Sequence, residues 1–374
     1  MYMQIPWREI LFYSFFFVTI IQIFYYLFFF RRLAYFRPDS GTVRQQQPVS
    51  IIICAKNEAA RLEANLPKVL QQNYIGAYEV IVVNHNSSDH TRQVLEEFSK
   101  TFKHLRALHI TGESGEMPGK KYPLSTGIQA ATHHVLLLTD ADCVPASPAW
   151  LLKMQDVYSP GTEVVLGYGA YQKKRGLVNR LIRFDTFHTA LQYLSYALAG
   201  IPYMGVGRNL SYTKTIFNTV NGFASINHTA SGDDDLFISL TATGENTRIV
   251  IEKEAITLSQ PEETFVAWAR QKTRHFSTGK HYKPVHKLLL GLYSMSHFLF
   301  YPLFVSASFF YNWKLSLALY FTRFIIQAIV FYRSMKKLDE SDLFPWWWLF
   351  DIWMFFYYFI FANTLWKKPR KTWK

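Results

Sequence analysis

The stretch HVLLLTDADCVPAS, His134 to Ser147, carries an apolar run, Val135 to Leu138, straight into two carboxylates one residue apart, Asp140 and Asp142. A short unbroken apolar run bounded by polar residues is the pattern of a strand buried on both faces. Two like charges at its end repel each other, and desolvating them is costly unless something positive sits between or beside them. Either a cation belongs at the end of this strand or the pair caps a loop. The flanking sequence decides.

Upstream, the same signature recurs. Val49 to Cys54 is a second continuous apolar run and opens into Ala55, Lys56, Asn57 and Glu58. Leu62, Leu66, Val69 and Leu70 then fall at helical spacing. Val80 to Val83 predicts another strand, running into Asn84 to Asp89, where Ser88 or Asp89 could cap the helix TRQVLEEFSK. LRALHI predicts a third short strand and YPLSTGIQAATH a helix, which makes 135–140 the fourth strand. This alternation predicts an α/β domain with a mostly parallel sheet and helices on both faces, whose ligands bind beyond the carboxyl ends of the strands. Lys56 to Glu58, Asn84 to Asp89, Asp140 and Asp142 all lie at those ends. The convergence favours the cation over the loop cap.

No glycine-rich dinucleotide fingerprint or P-loop follows a strand, so phosphate would have to be neutralised by a divalent ion with Lys or Arg. Mg²⁺ and Mn²⁺ are hard ions suited to carboxylate and phosphate oxygen. Asp142 would ligate the ion, and Asp140 would ligate it or face a ribose hydroxyl. Downstream, TASGDDDLFISL places Asp233, Asp234 and Asp235 before an apolar-periodic run. One carboxylate would satisfy a helix dipole, and three are excessive unless cations or a proton-transfer role hold them. FVAWARQKTRHFSTGKHY is an amphipathic basic stretch in which Phe265, Trp268 and Lys272 to His275 suggest a helix on a membrane face. Gln271 and Arg274, three apart, share a face of it.

The chain has 374 residues, a net charge of +13 and 17% aromatic residues. A basic excess suits nucleic acid, an anionic lipid surface or a phosphorylated substrate, and the apolar segments choose the membrane over nucleic acid. Leu11 to Phe30 has no charged residue and is followed by Arg31 and Arg32, the flanking of an uncleaved anchor whose C-terminal side is cytoplasmic. Leu288 to Phe310, Leu315 to Tyr332 and Phe344 to Trp366 are three further apolar segments. Arg323 interrupts the second and Asp351 the third, and a mid-membrane Arg needs a partner or a polar cavity. The basic clusters on either side of the third leave two topologies open, four crossings or three plus a re-entrant or interfacial last segment. The expected organisation is an anchor and linker over 1–44, a cytoplasmic domain over 45–285 with an interfacial basic helix near 262–283, and a C-terminal membrane region over 286–374. Cys54 and Cys143 sit in apolar contexts and read as buried thiols.

The ordered set of motifs resembles the family 2 glycosyltransferases with a GT-A fold, in particular the membrane-anchored branch of ceramide glucosyltransferases and cellulose and hyaluronan synthases. The likeness covers roughly residues 48 to 280. It implies that Ala55, Asn57 and Glu58 of ICAKNE form the first loop that receives the nucleotide. VVNHNSSDHT resembles the family's VVDDGSTDGT, with Asn84 and His85 in place of two aspartates, so His85 would stand at the base or ribose. PGKKYPLSTGI resembles GKxxALNxGI, which would bring Lys120 or Lys121 to the donor's phosphate or sugar. TDAD becomes the metal motif, with Asp142 as direct ligand beside Asp140. GDDD resembles GED, with Asp233 in the Glu position and Asp234 in that of the catalytic base. QKTRH resembles Q-x-x-R-W, so Gln271, Arg274 and His275, the last replacing Trp, would lie by the acceptor and the leaving diphosphate.

The resemblance implies metal-dependent, inverting transfer of a sugar, with Mn²⁺ or Mg²⁺, from a nucleotide sugar (a UDP-sugar first among them) to a membrane lipid or polyprenyl phosphate. The protein would be a multi-pass membrane protein with its catalytic domain facing the cytoplasm. A processive polysaccharide synthase and a non-catalytic membrane binding module are the alternatives.

Overall fold

The structure, a computed structural model, describes residues 7–38, 46–112, 117–276 and 278–362, with the side chain of His275 excepted. The chain divides into two compact units, one of residues up to Phe36 together with those from Tyr282 onward, the other spanning Arg37–His281.

Among the described residues the second unit is built on ten strands: β1 Val49–Ala55, β2 Tyr78–His85, β3 Leu105–Ile110, β4 Val135–Asp140, β5 Cys143–Pro145, β6 Val164–Gly167, β7 Gly169–Tyr171, β8 Leu210–Thr213, β9 Thr247–Val250 and β10 Thr257–Ser259. Seven form a main sheet in the order β3-β2-β1-β4-β8-β6-β9. Its first half is parallel, as the strand–helix alternation predicts, and every residue of β1 is buried. The sheet is mostly parallel, as expected, with six of its seven strands running the same way and one reversed. β8 runs antiparallel to both β4 and β6, while β6 and β9 are parallel. An antiparallel neighbour needs no helical crossover, so β8 can pair with β4 without the periodic signature that revealed the first four strands.

Register sets the site. Ala55 pairs with Asn84 and Cys54 with Asp140, so the loops after β1, β2 and β4 leave the sheet nearly level. A three-stranded sheet, β5-β10-β7, begins immediately after Asp142. Buried Asn209 joins the two sheets: its amide donates to the carbonyls of Tyr168 (3.0 Å) and Ala255 (2.8 Å) and accepts from the Trp150 indole (3.0 Å).

The first unit is helical. Trp7–Ala34 and Pro284–Lys337 are long and apolar enough to cross a membrane. Asn312 breaks the second run, adopting an extended backbone and accepting the amides of Lys314 and Leu315 with its side chain, so Pro284–Ala307 and Trp313–Lys337 are separate helices. A further helix, Trp347–Ala362, follows a 3₁₀ turn at Ser341–Trp346, and residues 363–366 of the last apolar segment lie outside the described residues. Large apolar side chains face outward on these helices, Phe17, Phe309 and Phe359 among them. The two inconvenient charges meet. Arg323 forms a forked pair with Asp351, its Nη2 lying 3.0 Å from Oδ1, and donates through Nε to Gln22 (2.8 Å). Gln327 and Tyr301 also donate to the Asp351 carboxylate, at 2.7 and 2.5 Å. A buried charge is tolerable only when paired and hydrogen-bonded in this way.

Candidate active site

The loops after β1 and β2 are fastened to each other. Asn57 takes a left-handed φ of 56°, a conformation Asn tolerates better than most residues. Its N–H donates to the Ser87 hydroxyl (2.9 Å) and its side-chain oxygen accepts from Ser88 N–H (2.8 Å). Asp89 collects the amides of Ala59 (3.1 Å) and Thr91 (3.0 Å). Burial works to raise its carboxyl, but these hydrogen bonds win and hold it below the ordinary value. Ala55 is buried at the end of β1, and the nearly buried Glu58 carboxylate pairs with Arg61 at 3.1 Å. The Glu58 N–H donates to the Thr91 hydroxyl (2.9 Å), so Asn57 and Glu58 both tie the first loop to the second.

An amide and an imidazole occupy the place of the two aspartates. His85 is buried and its Nε2–H donates to the Gly112 carbonyl (2.8 Å), with its ring edge-on to Tyr122. The Asn84 amide lies 3.1 Å from His109 Nδ1. Burial lowers the pKa of His109.

Charge gathers one strand further along. The ligand atoms of Asp140, Asp142 and Cys143 lie within 4.8 Å of one another. The Lys120 ammonium pairs with Asp140 and stands 3.8 Å from Asp233. Burial would raise the Asp140 carboxyl, yet the Lys120 charge holds it below the usual range. Asp142 goes the other way, raised by burial and by the charge on Asp140. A carboxylate destabilised by a like charge is relieved by a divalent cation, and two carboxylates suit Mn²⁺ or Mg²⁺. Cys143 stays outside such a donor set: burial raises its thiol well above the ordinary value, and its S–H points to Asp142 at 3.5 Å.

Lys120 and Lys121 part company. Lys120 precedes the helix Lys121–Ala130 and turns to the carboxylates. Lys121, the next residue round, is fully buried and donates to the carbonyls of Thr229 (2.5 Å) and Ser231 (2.6 Å). Its role is to hold the loop that leads into GDDD. Gly119 permits this: its φ is +74°, and a Cβ there would stand 2.3 Å from the Ala230 oxygen.

In that loop the Asp234 carboxylate accepts the amides of Gly207 and Asp235, both at 2.8 Å. Burial and the neighbouring charges of Asp233 and Asp235 outweigh these bonds and push its carboxyl up to about 7. Asp235 turns away to Thr278 and to the Leu236 amide (2.7 Å), so only Asp233 and Asp234 share the Lys120 side.

The helix Phe265–Phe276 carries the last motif. Gln271 accepts from the Tyr171 hydroxyl (3.3 Å), and the exposed Arg274 is near enough to lower the Asp140 carboxyl. The side chain of His275 lies outside the described residues. Two features correct the reading of this helix as a membrane-facing aromatic and basic surface. Trp268 is buried, and Lys272 pairs with Asp185 at 2.8 Å, so only part of its aromatic and basic content faces outward. The sequence reading also missed Arg208 and Tyr171. Arg208 lies over the Tyr171 ring, 4.4 Å from its centroid, at the edge of the aspartate cluster. The only signal was a charged residue in the glycine-containing stretch GVGRNL.

A parallel half-sheet meeting an antiparallel strand, with an acidic pair at the junction and a second acidic loop facing it, is the GT-A architecture of glycosyltransferases. Residues 50–228, just under half of the chain, match the sequence model of Glycosyl transferase family 2. The probable glycosyltransferase YdaM of Bacillus subtilis (strain 168) is 26% identical over 242 residues, 62% of this chain and 55% of that protein. A beta-monoglucosyldiacylglycerol synthase of Trichormus variabilis is 33% identical over 102 residues, 26% of this chain and 21% of that one. The chain thus spans about half the length of the first of these relatives and less of the second. Among solved structures, mannosyltransferase PcManGT from Pyrobaculum calidifontis in complex with GDP-Man and Mn²⁺ shares the fold. Its TM-score is 0.57 at 16% identity, covering 92% of this chain and 98% of that one.

Proposed function

We propose that the protein transfers one sugar, with inversion, from a nucleotide-diphosphate sugar to a lipid hydroxyl or polyprenyl phosphate at the cytoplasmic face of the cell membrane. The observation that carries this is the single charge cluster in which Lys120 stands between Asp140 of the acidic pair and Asp233, beside Asp234. Asp140 and Asp142 would hold Mn²⁺ or Mg²⁺, and the ion, when bound, supplies charge neutralisation to the departing diphosphate. Asp234, with its carboxyl at about 7, is matched to accept a proton near neutral pH. The acceptor oxygen forms its bond to the anomeric carbon as the bond from that carbon to the diphosphate breaks; a hydroxyl acceptor passes its proton to Asp234, whereas an ionised phosphate acceptor has none to lose. Arg274 and Lys120 balance the charge left on the diphosphate. A lone base without a second nucleophilic carboxylate is the inverting arrangement, by analogy with glycosidases.

The lipid acceptor is supported by the two long apolar helices and by the relative whose product is a glucosyldiacylglycerol. A UDP-sugar is the first donor to try, with GDP-mannose beside it because the structural neighbour binds that compound. The His85 corner would meet the base. The test is to incubate the purified protein with Mn²⁺ or Mg²⁺, a panel of nucleotide sugars and detergent-solubilised lipids, and to analyse products by mass spectrometry. A glycolipid carrying one sugar supports the proposal. A long polymer, or metal-dependent nucleotide binding without turnover, refutes it.

A further inference from the structure

We infer that Arg208 binds the diphosphate of the donor beside the cation held by Asp140 and Asp142, and that Tyr171 and Ser259 fix its guanidinium for that purpose. The inference rests on the donor being a nucleotide-diphosphate sugar.

Arg208 immediately precedes Asn209 and β8, the strand antiparallel to β4, and its carbonyl accepts the hydroxyls of Thr139 and Thr257, each at 3.0 Å. Thr139 adjoins Asp140, so the Arg208 main chain is pinned to the exit of β4. The side chain crosses the small sheet. Nη1 donates to Ser259 Oγ on β10 (2.7 Å), and the guanidinium lies over Tyr171 on β7. A Cβ on Gly169 would come within 3.1 Å of Arg208 Cβ and 3.3 Å of Nε. The absence of a side chain at that position leaves the space in which Arg208 lies flat. A stacked, anchored guanidinium has lost its rotamer freedom before any ligand arrives, the preorganisation that makes charge recognition strong.

Its charge is not matched by an adjacent carboxylate. Asp140 and Asp142 attract it through space, but the partner of Asp140 is Lys120, and among the described residues Arg208 forms no ion pair. A guanidinium has five N–H donors in a planar fork suited to phosphate oxygens, and Ser259 accepts from one nitrogen only. A diphosphate drawn to a cation on the acidic pair would come to lie against this fork. Tyr171, which stacks on Arg208, also donates to Gln271, so the same ring orients one residue from each side of the site.

The experiment measures binding of UDP against UMP, and of GDP against GMP, to the full-length protein in detergent with Mn²⁺, by isothermal titration. Removing a charge-assisted hydrogen-bond donor weakens a complex by roughly tenfold to a hundredfold. Arg208→Gln is expected to lose that much affinity for the diphosphate while its affinity for the monophosphate changes little. Arg208→Lys keeps the charge without the fork and should fall between. Tyr171→Leu leaves the guanidinium intact but unstacked and should show a smaller loss in the same direction.

An unchanged preference for diphosphate over monophosphate in Arg208→Gln overturns the inference. So does tighter Mn²⁺ binding, read by electron paramagnetic resonance, with that preference intact, because Arg208 would then be only a counter-charge for the aspartates. Should Arg208→Gln fail to fold, the same criterion applied to Arg208→Lys and Tyr171→Leu decides the matter. Wild-type protein that binds neither diphosphate overturns the donor assignment itself, and this inference with it. That failure appears in the wild type, whereas failure of Arg208 alone appears only on comparison with the variants.

Discussion

Asp234→Asn should inactivate the enzyme and stabilise it at alkaline pH, and the two effects share one cause. The carboxyl rises from 3.8 in the unfolded chain to about 7 in the folded one. Folding therefore takes up a proton between those values, so stability falls as pH rises through that window and levels off above it. At about 1.36 kcal/mol per pH unit, holding this carboxylate ionised at pH 8 costs the folded protein roughly 4 kcal/mol. An amide removes the charge but has a single acceptor, so one of the two amides that Asp234 accepts, Gly207 or Asp235, loses its partner. That loss costs about 1–3 kcal/mol, leaving a net gain of roughly 1–3 kcal/mol at pH 8. Near pH 4 both side chains are largely uncharged and only the lost hydrogen bond remains, so the variant becomes the less stable protein. Thermal unfolding followed from pH 4 to pH 9 should show the two melting curves crossing. Transfer should drop by about a hundredfold to ten-thousandfold in the variant. In the wild type, kcat/KM should rise with pH and flatten above about 7. A variant destabilised by the same amount at both ends of the pH range, or one that turns over normally, would refute the assignment of Asp234 as a strained base.

Other outcomes follow from single contacts. A Cβ on Gly207 would lie 3.5 Å from Asp234 Oδ2 and 3.6 Å from Lys120 Nζ, ordinary contact distances. Gly207→Ala should therefore keep its melting temperature yet lose activity, because the methyl group occupies the space between base and lysine. Asp142→Asn, or a chelator added to the wild type, should abolish Mn²⁺-dependent nucleotide binding, read by titration calorimetry. Arg323→Met leaves Asp351 buried without its cation and should cost about 3–5 kcal/mol in detergent unfolding. The double variant Arg323→Met/Asp351→Leu should recover most of that loss, since hydrophobic replacement of a whole buried pair is often neutral or better.

Much of the site was legible because it sits where periodic elements end. Continuous apolar runs announced β1, β2 and β4, and the polar residues at their exits are the ones the register brings level. What could not be read depends on direction and on contacts between distant segments. Nothing in the order Lys120-Lys121 says which ammonium faces the carboxylates, because adjacent helical positions point about 100° apart. Trp268 looked like an interfacial aromatic since amphipathicity shows that a face is apolar, not what covers it. Arg208 draws its meaning from Tyr171 and Ser259, on two strands too short to leave a period-two signal. Arg323 and Asp351 each advertised the need of a partner, but only the packing of the helices shows that they satisfy one another.

That mutual satisfaction has a temporal side. The ribosome delivers Arg323 before Asp351, 28 residues earlier in the chain. Until the helix Trp347–Ala362 has been made, the nascent bundle carries that guanidinium without the carboxylate of Asp351 to quench it, and a product that stops short of position 351 carries it permanently. Synthesis past position 351 is thereby recorded in the helices themselves, as a charge that either has been cancelled or has not.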